Sequence, residues 1–80
     1  MNVNVIETTR GTNCIEVEMV CDNSAASVLV TASAVYVLVR CSAARSKLGR
    51  RFADVASAVA AYKSTAVRRM IETAAEMAAA

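Results

Sequence analysis

The residues best suited to do chemistry in this 80-residue chain are its cations, and they are concentrated in one stretch. Arg40, Arg45, Lys47, Arg50, Arg51, Lys63, Arg68 and Arg69 stand against a single acid, Asp54, a net charge of +7. Ahead of them, Glu7, Glu16, Glu18 and Asp22 face only Arg10, a net of −3; Glu72 and Glu76 follow, so the overall +2 conceals the asymmetry. Six of the eight cations are Arg, whose planar guanidinium makes bidentate contacts with carboxylate and phosphate. Such a segment predicts a surface facing an anionic partner. The same residues also suit a solvated helix face with local pairs, Arg50 with Asp54 and Arg68 with Glu72, both at i, i+4. On that account Arg45, Lys47, Arg51 and Arg69 have the fewest local partners. Together with Arg50 and Arg68 they are the candidate partner-contact residues.

Other chemistry finds little support. The chain has no His to act as a base and only two glycines, Gly11 and Gly49, in no phosphate-cradling pattern. Glu16 and Glu18 are paired carboxylates, but at i, i+2 on a strand they read as a solvated face. Cys14, Cys21 and Cys41 form no CxxC pair and have no His beside them, so no metal site is predicted. They read as buried free thiols, small hydrophobes suited to a reducing cytoplasm. No catalytic residue, metal or cofactor is expected. Single-strand base stacking lacks its aromatics, since Phe52, Tyr36 and Tyr62 are the only ones.

The elements that must position the cations follow from periodicity. Asn2 to Thr8, with Val3, Val5 and Ile6, predicts a strand. A turn over Thr9–Asn13 follows, with Gly11 for positive φ and Asn13 tolerant of it. Ile15, Val17, Met19 and Cys21 alternate with Glu16 and Glu18, which predicts a strand with one buried face and a hairpin with the first. After the turn signal Asp22-Asn23-Ser24, the runs Ser27–Thr31 and Val35–Arg40 are β-branched and apolar. Ala32-Ser33-Ala34 between them is a poor turn. Two strands, one bulged strand, and a helix capped at Asn23 or Ser24 therefore stay open for Ala25–Val39. That run is short of the roughly 20 apolar residues a membrane helix needs. The chain's beginning has no basic, long-apolar leader pattern, so no signal peptide or membrane segment is expected.

Beyond Cys41 the period becomes helical. With Ser46 as N-cap, Leu48, Phe52, Val55, Val59 and Tyr62 form one stripe. Lys63-Ser64-Thr65 interrupts it, and Val67, Met70, Ala74 and Met77 form a second. This means two helices meeting at Ser64 or one that bends there. The predicted fold is α+β: one domain over residues 1–80, a three- or four-stranded antiparallel sheet within 2–41, and one or two helices within 46–78 on one face. The cations would then converge on one edge. A helix-turn-helix over Ser46–Ala78 is an alternative, and with it a small DNA-binding regulator; another is a structural phage protein self-associating through Val28–Val39.

The segment Val3-Asn4-Val5-Ile6-Glu7-Thr8-Thr9-Arg10, with Glu16-Val17-Glu18, resembles the opening hairpin of certain small phage-encoded type I anti-CRISPR proteins. In that group a short sheet likewise precedes an alanine-rich helix, here matched by Phe52 through Ala61. The resemblance covers about the first 20 residues and the order of elements. It implies a non-enzymatic inhibitor in the host cytoplasm that binds a CRISPR surveillance complex and blocks target DNA. It carries no functional residue across. Some members mimic DNA with acidic surfaces; here the dense charge is positive. The expected partner is accordingly a protein or ribonucleoprotein with an acidic or phosphate surface. Direct nucleic-acid contact is the alternative, and the chain is expected as a monomer or weak dimer.

Overall fold

A computed structural model describes residues 2–40 and 49–80. Five strands, β1 (Asn4–Gly11), β2 (Cys14–Cys21), β3 (Ser24–Thr31), β4 (Val35–Arg40) and β5 (Arg50–Phe52), precede two helices, α1 (Val55–Ala61) and α2 (Thr65–Ala79). The strands form one antiparallel sheet in sequence order. Both helices lie on one face of it, which is the expected α+β arrangement.

Each hairpin turn has its own local cause. Between β1 and β2 the left-handed residue is Asn13, at φ 58°, and not Gly11. Gly11 belongs to β1 and makes room instead: a Cβ there would stand 2.7 Å from the Cys14 sulfur. Asp22, at φ 55°, turns β2 into β3. Asn and Asp tolerate this region better than other side chains. The glycine-free link between β3 and β4 is closed by Thr31. Its hydroxyl accepts from the Ser33 and Ala34 amides and donates to the Ala34 carbonyl, which in turn accepts from the Thr31 amide. A side chain that mimics a backbone turn thus does what Gly or Asn usually does. Ala25–Val39 is therefore two strands, and the long-strand and helix alternatives fall.

The alternation in β2 sets the layers. Ile15, Val17, Met19 and Cys21 point to the helices, opposite Val28 and Ala26 of β3, which in turn face Val37 and Val39 of β4. From the other side come Ala58 of α1 and Ala66, Val67, Met70, Ile71 and Ala74 of α2. Small aliphatic groups let α2 sit close over β2 and β3. Cys21 is a buried free thiol in this core, as expected; Cys14 is half-buried on the opposite face, and Cys41 lies outside the described residues.

The first strand runs on through the expected turn to Gly11, and the boundary between sheet and helix also differs from expectation, giving five strands instead of three or four. The first helix begins at Val55, and residues 50–52 are a strand; Ser46, its expected cap, and Leu48 lie outside the described residues. Two forces compete over this segment. Phe52 fits the helical stripe, but β4 needs a neighbour for its free backbone groups, and Phe52, Arg51 and Arg50 pair with Val35, Tyr36 and Val37. Asp54 then supplies a better cap, its carboxylate accepting from the Ser57 amide at 2.7 Å. Phe52 is buried either way. Tyr62–Ser64 separates the helices, and Ser64 caps α2 by accepting from the Val67 amide at 3.2 Å.

Candidate functional site

Placing Arg50 and Arg51 on a strand sends them to opposite faces, because side chains alternate along β5. Arg50 shares the helix side with Phe52. Its guanidinium lies 5.0 Å from the Phe52 ring centroid and 5.8 Å from that of Tyr62. The two rings meet edge-to-face with centroids 5.8 Å apart. Arg68, on the first turns of α2, donates from Nε to the Tyr62 carbonyl. Lys63 follows Tyr62 and is exposed. A basic corner thus forms where the end of α1, the start of α2 and the outer edge of the sheet meet, with Tyr62 at its centre.

Electrostatics in the corner is readable from Tyr62. Burial pushes its hydroxyl pKa up from the usual tyrosine value, and the Arg50 charge partly opposes that rise. Asp54 does not neutralise the corner through Arg50. Its carboxylate caps α1, and the hydrogen bonds from Ser57 hold its pKa below the usual carboxylate value. Neither expected i, i+4 pair is present: the described ion pairs are Arg40–Glu18 at 3.9 Å and Arg69–Glu72 at 4.0 Å, both between half-exposed side chains.

The six candidate contact residues therefore divide. Arg50 and Arg68 come together. Arg51 lies on the opposite face of the sheet, across from Tyr36. Arg69 sits on the far flank of α2, paired with Glu72 beside a shallow depression lined by Asn2, Val3, Asn4, Thr73 and Glu76. Convergence of all the cations on one edge is thus corrected, and so is the reading of Arg69 as a cation without a local partner. Arg45 and Lys47 lie outside the described residues. In the helix-turn-helix alternative the first helix is cut to the seven residues of α1, since β5 takes residues 50–52.

Sequence reasoning missed Tyr62 as the organiser of the corner. The only signal was its position, last in the α1 stripe and directly before Lys63. Among the described residues, no group of three or more His, Cys, Asp or Glu is placed to hold a metal ion. No described helix is long and apolar enough to cross a membrane. Comparison with known protein families, curated proteins and solved structures returns no match.

Proposed function

We propose that this chain is a non-enzymatic binding protein that engages an anionic surface through the corner formed by Arg50, Lys63 and Arg68. In the particular form the anti-CRISPR resemblance implies, the partner is a type I CRISPR surveillance complex. The mechanism is steric and electrostatic occlusion of the site that target DNA must enter. The observation that carries the reading is the convergence of two guanidinium groups on Tyr62. One is held by aromatic stacking and the other by a backbone carbonyl, so both are positioned before a partner arrives. Preorganised cations lose less side-chain freedom on binding than free ones.

Copurification with a type I surveillance complex, and DNA binding by that complex, test the proposal. Wild-type protein is expected to copurify and to suppress DNA binding. The variant Lys63→Glu/Arg68→Glu, with an unchanged far-UV spectrum, is expected to lose both effects. Unchanged inhibition by that variant would overturn the site. Failure of the wild type to bind the complex, with a gel shift of free duplex whose log K falls by about 0.9 per neutralised phosphate against log salt, would replace it with the DNA-binding regulator.

A further inference from the structure

The face of the sheet away from the helices carries a charge order that the binding corner does not use. On β1 and β2 it presents Glu7, Glu16 and Glu18. On β3 and β4 it presents Leu29, Tyr36 and Leu38, all only half-buried, around a shallow groove. On β4 and β5 it presents Arg40 and Arg51. Acid, apolar and basic bands thus follow one another across the five strands. No described element covers them, because α1 and α2 pack on the other side.

We propose that this face binds a second copy of the same chain, the two sheets stacking about a two-fold axis parallel to β3. The axis follows from the charge order. Rotation about a line along the central strand lays β5 of one copy over β1 of the other, and β4 over β2. Arg51 of each copy then stands over the β1 segment holding Glu7 and Thr9, and Tyr36 stands over Glu16. Leu29 meets its own symmetry mate on the axis. A two-fold perpendicular to the strands would instead set β1 and β2 upon themselves and oppose the glutamates. An isologous contact requires a self-complementary surface, and only the first axis makes this one so.

The Arg40–Glu18 pair spans β3 within one chain at 3.9 Å and remains half-exposed, so the contact would desolvate it or exchange it between copies. Strands about 4.8 Å apart, rising about 3.3 Å per residue, make the face roughly 20 by 24 Å. Its corrugated accessible area approaches the lower limit of specific interfaces, about 600 Å² per partner. An interface of that size is expected to associate weakly.

Sedimentation of the full chain from micromolar to millimolar concentration tests this. The wild type is expected to shift from monomer to dimer, and added salt to weaken the dimer. Leu29→Lys, which sets two ammonium groups together on the axis, is expected to abolish it. Arg40→Glu/Arg51→Glu makes the face wholly acidic, and Glu7→Lys/Glu16→Lys makes it predominantly basic. Each is expected to weaken self-association at least tenfold, because each contact is lost twice per dimer, while an equimolar mixture of the two associates again. Folding of each variant is checked by far-UV circular dichroism. A wild type that stays monomeric at millimolar concentration overturns the proposal, as do variants that dimerise like the wild type or a mixture that stays monomeric. Loss of the dimer in Lys63→Glu/Arg68→Glu would place the contact on the helix side and overturn it equally.

Discussion

Arg50→Met removes one charge and keeps an unbranched apolar stem, and the structure sets the size of the effect. The Arg50 guanidinium lies within cation–π range of two rings at an exposed edge. Each such contact contributes about 0.5–1 kcal/mol at an exposed site. One guanidinium serves both rings, so the sum is an upper bound and the expected loss is about 1 kcal/mol. The Met stem retains the packing on Phe52. For a domain of this size that loss corresponds to a fall in Tm of roughly 4–8 °C. Arg51→Met is the matched control: same strand, same charge change, opposite face, with Tyr36 as its cross-strand neighbour but no cation–π contact among the described residues. Its effect is expected within about 0.5 kcal/mol, as for other surface substitutions. Urea unfolding followed by circular dichroism, with equal m-values, compares the two. Tyr62 provides an independent readout. Because the Arg50 charge lowers a hydroxyl pKa that burial raises, Arg50→Met is expected to move the Tyr62 titration further up. The ultraviolet titration is unambiguous in a Tyr36→Phe background, where Tyr62 is the sole tyrosine. Equal destabilisation by both substitutions, or an unmoved Tyr62 titration, would refute the stacked arrangement.

Two further outcomes test the fold that carries these sites. Ile71 is fully buried on the sheet-facing side of α2 whereas Ile6 is 62% exposed on β1; Ile71→Ala is expected to cost about 2–5 kcal/mol and Ile6→Ala almost nothing, read by the same urea titration. The Asp54 carboxyl has a lowered pKa in the folded protein, so its stabilisation is present above the unfolded value of about 3.9 and disappears as pH falls through the folded one. The difference in Tm between wild type and Asp54→Ala is therefore expected at neutral pH and should vanish in strong acid.

Local pattern determined much of this protein. The period-two run from Ile15 to Cys21 contained its own face assignment, because each side chain's environment depends only on parity along the strand. The second stripe, Val67 to Met77, likewise specified α2 from neighbours three and four residues away, while a break or a bend at Ser64 stayed open until the structure showed Ser64 capping α2. The charge asymmetry was visible in the order of charges along the chain, although the net charge of +2 concealed it. What the chain did not disclose locally was where Arg50 and Arg51 would go. Phe52 satisfies a helical stripe and a buried strand position equally well. The decision fell to β4, whose unpaired backbone groups lie far from Phe52 in sequence and beside it in space. Once residues 50–52 joined the sheet, alternation separated two adjacent arginines. One went to Tyr62 and Arg68, the other to a face bearing glutamates from the opposite end of the chain. A cluster in sequence thus became two surfaces, because strand pairing is set by hydrogen-bonding partners that only the folded backbone brings together.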